Sequence, residues 1–300
     1  MIDTSILFQR NYTNCLRGIS VLIIFFLHII FKWEDMPRFL TLPASLFVSV
    51  FILLSGYGIH ESYKKYGLKG YWHKRFKRII LPYTLLITVS IPFTNNFNWK
   101  DYLLDITYIH SSCWFIEFII YNYLVYWLAQ RFFPQSVFLI FILFGFVGLN
   151  SLMPLEGEQS FSFFAGVLFS HYIDKIRSLS VEKLVTYAFF GFVFGTLFVL
   201  LKEIPYVHSY KGTIAYNYIL VLIKLPMSLC ILLLPLFVPV LLRSKVLYWA
   251  GIGSLEIYLV HSAMMDYVEI DFLRILLYTI FTIVFSFIFY RVNQLIIRII

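Results

Sequence analysis

Apolar stretches separated by short charged or turn-forming segments run the length of the chain, at 14–32, 38–60, 78–94, 112–131, 135–150, 160–173, 184–202, 217–242, 246–264 and 272–292. Most come near the ~20 residues that a helix rising 1.5 Å per residue needs to cross a hydrocarbon core. In lipid a backbone N–H or C=O finds no water, so stretches of this length are expected to close their own hydrogen bonds as helices. The pattern predicts an all-α fold, a polytopic transmembrane helix bundle of about ten spans. Stretches 135–150 and 160–173 are the shortest and would also fit a bent or partly re-entrant pair.

Charge placement assigns the faces. With ten crossings both termini share a side, and that side collects 17 Lys and Arg: Arg10, Arg17, seven within 64–78, Arg131, Lys175, Arg177, Lys183, Arg243, Lys245, Arg291 and Arg298. The other side receives six: Lys32, Arg38, Lys100, Lys202, Lys211 and Arg274. Glu34, Asp35, Asp101, Asp105, Glu156, Glu158, Glu203, Asp266, Glu269 and Asp271 also fall on that second side. Basic residues are retained in the cytoplasm during insertion, so both the N-terminus and the C-terminus are expected to be cytoplasmic.

Composition narrows the class further. Hydrophobic residues make up 60% of the chain and charged ones 13%, with a mean hydropathy of +0.82, which excludes an ordinary soluble domain and a disordered chain. The net charge of +8 needs no nucleic acid to explain it, because the retention of basic loops already makes multi-pass proteins basic. Cys15, Cys113 and Cys230 are scattered and odd in number, which predicts neither a disulfide framework nor a metal site. The first apolar run contains His28 and ends in Lys32-Trp33-Glu34-Asp35 without a small-residue cleavage site, so it is expected to stay as the first span. No linker divides the chain, which reads as a single integral-membrane domain over 1–300. The two halves lack self-similarity, which weighs against a repeat-built transporter.

Ionisable side chains within spans are costly and therefore candidates for chemistry. They are Arg17 and His28 on span one, Glu117 on span four, Lys224 on span eight, and Glu256 and His261 on span nine. Arg17 and His28 are eleven residues apart, about three helical turns, with an offset of only ~20° and a rise of roughly 16 Å. Both therefore point along one groove, the arginine toward the cytoplasm and the histidine toward the far side. Arg75 and Arg78, three apart at the start of span three, share a face and suit a polyphosphate, although on charge alone membrane topology and anionic headgroups are the better explanation of a basic loop. Ser254, Tyr258 and His261 form a polar stripe at i, i+4 and i+7, readable as an interhelical hydrogen-bond seam or as a pocket wall. Glu256 points away from that stripe near the cytoplasmic end and is expected to be solvated. Gly56, within Ser55-Gly56-Tyr57, allows close approach of another helix or of a ligand chain. Glu117 and Lys224 show no partner in the sequence, and Lys224 is expected to snorkel.

Five of these features, in this order, resemble the acyltransferase-3 family of integral-membrane acyltransferases. They are Arg17-Gly18-Ile19-Ser20 through His28, Leu54-Ser55-Gly56-Tyr57, Arg75-x-x-Arg78 with Leu81-Pro82, Trp114-Phe115-Ile116, and Ser254-x-x-x-Tyr258-Leu259-x-His261. The resemblance implies transfer of an acyl group, usually acetyl from acetyl-CoA, to a hydroxyl of a cell-surface sugar, polysaccharide or lipid-linked glycan. It implies that His28 is the essential histidine and that Arg17, Arg75 and Arg78 hold the donor. Ser55, Tyr57, Trp114, Ser254, Tyr258 and His261 are candidate lining residues. Members that modify large glycans often carry an acidic residue five positions after the tryptophan; here Ile119 stands in that place, and Glu117 inherits no role.

The resemblance makes chemical sense. An imidazole with an ordinary pKa near ~6.5 suits removal of a hydroxyl proton, either directly or through a transient acyl-histidine. Cytosolic phosphates would rest on the arginines while a pantetheine-like arm reaches outward through one continuous passage. The implied partners are acyl-CoA, a glycan acceptor and membrane lipids, with no metal and no nucleic acid, in a bacterial cytoplasmic membrane. A ten-span small-metabolite exporter and a non-catalytic scaffold are the competing classes.

Overall fold

A computed structural model describes residues 3–31, 41–93, 98–109, 113–150, 154–265 and 272–299. Within those residues every predicted apolar stretch is helical and no strand occurs. The principal helices are α1 (Arg10–Ile30), α2 (Thr41–Tyr66), α3 (Tyr71–Arg75), α4 (Leu81–Ser90), α5 (Trp99–Ile106), α6 (Trp114–Phe132) and α7 (Val137–Leu149). They continue as α8 (Ser162–His171), α9 (Val181–Glu203), α10 (Ile214–Ile231), α11 (Lys245–Ile252), α12 (Ser254–Met264) and α13 (Phe272–Ile299). The outer-face charges Lys32, Glu34, Asp35, Arg38, Asp266, Glu269 and Asp271 lie outside the described residues.

Among the described residues five helices are long and apolar enough to cross a membrane unaided: Arg10–Ile30, Thr41–Tyr66, Val181–Glu203, Ile214–Phe237 and Leu273–Ile299. The other stretches are short or broken. The ninth divides at Gly253 into α11 and α12, and α7 and α8 have 13 and 10 residues. In the third, a π turn over Phe76–Ile80 joins α3 to α4, and the Leu81 N–H donates to the Phe76 carbonyl. Pro82, which has no N–H to give an α-helical ladder, follows directly. The connection at 95–111, which the sequence offers only as polar, contains α5. Asn98 caps it by accepting from the Lys100 N–H at 2.9 Å, and the Tyr83 hydroxyl donates to the Asp105 carboxylate to tie it to α4.

Lipid is as apolar as leucine, so packing inside the bundle relies on small residues that bring backbones together. Two crossings show this reciprocally. At α1 and α11, a Cβ added to Gly18 would stand 2.1 Å from the Leu247 carbonyl oxygen, and one added to Gly251 1.9 Å from that of Asn14. At α2 and α8, Gly56 faces the Phe163 carbonyl at 2.1 Å and Gly166 faces that of Leu53 at 1.9 Å. Gly56 therefore serves helix packing. With α11 and α8 pressed against them, α1 and α2 form the centre of the bundle, whereas α9 and α13 present mostly exposed apolar side chains, as helices against lipid do.

Lys224 does not snorkel. Its side chain is 3% exposed and forms an ion pair with Glu158, itself 13% exposed. Burying an ammonium is tolerable only with such a partner. The pair belongs to the polar packing between α10 and the segment before α8, where Gln159 also accepts from the Ser49 hydroxyl at 2.6 Å.

Candidate active site

A cavity of about 680 Å³ opens between α1, α2, the α3–α4 bend, α6, α12 and α13. Its lining carries Arg10, Arg17, Lys74, Arg75, Lys77 and Arg78 together with an apolar group formed by Phe51, Phe115, Ile116, Ile119 and Leu255. The volume lies within the ~300–1,000 Å³ range of sites that hold drug-sized or cofactor-sized ligands. One chain segment after another delivers the cations. Arg17 comes from α1, about two turns from its start, and the π turn sets Arg75 and Arg78 on the same lining.

The electrostatics are one-sided. Six basic side chains line this cavity against one carboxylate, Glu256. Among the described residues no carboxylate lies within ion-pair distance of Arg17, Arg75 or Arg78. The Arg75 guanidinium instead lies over the Tyr71 ring at 4.6 Å and the Tyr123 ring at 5.6 Å, which holds it without neutralising it. Unpaired guanidiniums with free forks in a partly buried cleft form a site for a polyanion.

Glu256 is the correction to the sequence expectation. It is 6% exposed, not solvated; its carboxylate accepts from the Asn293 Nδ2 at 3.3 Å and lies within electrostatic reach of Arg78. The helix α13 that brings Asn293 follows α12 through residues with no sequence signal for that pairing.

His28 stands apart from the cavity. Its Nδ1 lies 3.0 Å from Nε2 of His261, whose own Nδ1 lies 2.9 Å from the Ile257 carbonyl oxygen. His261 is fully buried, between the Phe25 and Tyr258 rings at 5.8 and 5.4 Å, while the His28 ring stays partly exposed. From the cavity wall a chain of ring contacts leads to this pair: Phe115 to Tyr258 at 5.0 Å, then Tyr258 to His261. His28 is thus not among the residues that line the cavity, and the Phe115 and Tyr258 rings stand between that lining and His261.

Of the remaining candidates, Ser55 and Ser254 line the cavity, and the Ser55 hydroxyl donates to the Phe51 carbonyl at 3.1 Å. Tyr57 turns away to donate to the Phe8 carbonyl at 3.4 Å; Trp114 packs on Phe115 and Phe118. The Tyr258 hydroxyl meets the Cys113 thiol at 3.3 Å. Among the described residues no three His, Cys, Asp or Glu side chains converge as metal ligands would.

A family model described as an acyltransferase domain, that of the acyltransferase-3 family, matches residues 10–291. This chain belongs to the acyltransferase-3 family. No curated protein and no solved structure matches it. The matched span takes in every lining residue of the cavity except Gln294 and Ile297, and as a membrane acyltransferase the protein requires an acyl donor and an acceptor.

Proposed function

We propose that this acyltransferase moves an acyl group, acetyl from cytosolic acetyl-CoA, to a hydroxyl of a cell-surface sugar, polysaccharide or lipid-linked glycan. It acts as one domain over 1–300, with about ten spans and both termini cytoplasmic, in a bacterial cytoplasmic membrane. The observation that carries the proposal is the set of three guanidiniums, Arg17, Arg75 and Arg78, that line one cavity with no carboxylate paired to them among the described residues. Such a set favours a ligand rich in phosphate, and acyl-CoA carries its phosphates at one end and its thioester at the end of a long flexible arm.

In this proposal the phosphates rest on the basic lining and the arm runs along the apolar lining toward Phe115. The arm displaces Phe115 and Tyr258 to bring the thioester to His28, so the packed rings represent the resting state. At His28 the acceptor hydroxyl gives its proton to the imidazole as its oxygen attacks the thioester carbonyl. The carbon–sulfur bond then breaks, an ester forms, and the departing thiolate takes the proton back from the imidazolium.

Reconstitution in liposomes tests the proposal. Acetyl-CoA-dependent acylation of a glycan, abolished by His28→Ala, is the expected result. Solute counterflow without acylation would overturn it in favour of a small-metabolite exporter.

A further inference from the structure

We infer that His261 is a positioning residue that fixes the tautomer of His28, a role that rests on the proposed use of His28 as the base. The inference starts from one immovable acceptor. The Ile257 carbonyl oxygen can only accept, so the 2.9 Å contact requires the proton of a neutral His261 to sit on Nδ1. Its Nε2 is then a lone pair. The 3.0 Å contact between that atom and Nδ1 of His28 in turn requires His28 to donate from Nδ1. The Nε2 of His28 is left unprotonated, which is the state a base needs before it meets a hydroxyl.

The surroundings leave His261 no alternative pose. It is fully buried, its ring lies edge-on to Phe25 and Tyr258, and its backbone carbonyl accepts from the Tyr278 hydroxyl at 2.9 Å. The two histidines belong to α1 and α12, so the contact also locks the far ends of these helices together at the proposed site of chemistry. When His28 gains a proton at Nε2 its Nδ1–H becomes part of a cation, and the bond to His261 strengthens as charge develops. A neutral imidazole thus occupies the place that a carboxylate often takes behind a catalytic histidine, and it orients without adding a second charge at that depth.

Two substitutions separate this role from packing. Asn at 261 keeps a donor near the old Nδ1 position for the Ile257 carbonyl but falls short of His28. Gln carries its amide oxygen to about the position of Nε2 and can still accept from His28. Purified His261→Gln is expected to retain turnover within about tenfold of the parent, and His261→Asn to lose on the order of 100-fold in kcat, with KM for acetyl-CoA unchanged in both. A purely structural role predicts the opposite order or no difference, and either result would overturn the inference.

A second readout is independent of turnover. Nitrogen-15 spectra of histidine-labelled protein in lipid should show His28 protonated at Nδ1 in the parent and in His261→Gln, with that tautomer lost in His261→Asn. Protonation of His28 at Nε2 in the parent would overturn the inference. The expected tautomers together with full activity of His28→Ala would instead leave the contact standing and retire the base.

Discussion

The Phe115 ring centroid stands 5.0 Å from that of Tyr258, and this ring pair lies between the lining of the cationic cavity and the His28–His261 pair. On the proposed reaction, with a cytosolic donor and an acceptor beyond the membrane, rings packed at this point would have a physical use. An open groove lined by six cations would pass water and ions. Phe115→Ala should therefore raise acetyl-CoA hydrolysis in the absence of acceptor and admit longer acyl chains, while donor affinity stays unchanged. Thiol release from proteoliposomes checks this, and unchanged hydrolysis together with unchanged chain-length preference would contradict it.

The arginines should control donor affinity rather than chemistry. Loss of two charge-assisted hydrogen bonds, each worth about 1.5–3 kcal/mol, predicts at least ~100-fold weaker acetyl-CoA binding in an Arg75→Ala, Arg78→Ala double variant. Calorimetric titration of the detergent-solubilised protein measures it. The parent's affinity should also fall with added salt, as contacts to phosphate do.

Lys224 and Glu158 should stabilise the fold without touching transfer, because neither lines the cavity. Lys224→Met leaves a buried carboxylate alone and should cost about 3–5 kcal/mol. Adding Glu158→Leu should restore most of that loss. Thermal unfolding in detergent reads both steps, with acetyl-CoA affinity as the control.

Gly18→Ala should be among the most damaging small substitutions on α1. Its new methyl would stand 2.1 Å from the Leu247 carbonyl oxygen, so α1 and α11 must move apart. Overpacking of this sort costs about 1–3 kcal/mol. A lowered midpoint of thermal unfolding is the expected result, together with weaker donor binding, since Arg17 lies next to Gly18 on the same helix.

Much of this was legible along the chain wherever one helix carried the information. Arg17 and Arg75-x-x-Arg78 lie on elements whose basic ends the charge distribution assigned to one face, and they line one cavity. What the sequence concealed depends on which helix faces meet. Spacing gives the direction of His28 on α1 but is silent about His261, 233 positions further on. Glu256 reads as a terminal, solvated acid until α13 lays Asn293 against it. Lys224 found Glu158 from a segment between α7 and α8 that carries no apolar period of its own. The contact of Phe115 with Tyr258 was equally hidden, since it joins faces of α6 and α12 that no spacing within one helix relates.

The central claim is that a donor held by Arg17, Arg75 and Arg78 is used by His28 across the Phe115 and Tyr258 rings. Sealed vesicles containing the oriented protein, with labelled acetyl-CoA confined to the side of the arginines and a glycan acceptor confined to the other, test it most directly. The account predicts label on the glycan, lost in His28→Ala and restored by neither more donor nor more acceptor. Label that persists in His28→Ala, or that appears only when donor and acceptor share one side, would contradict it.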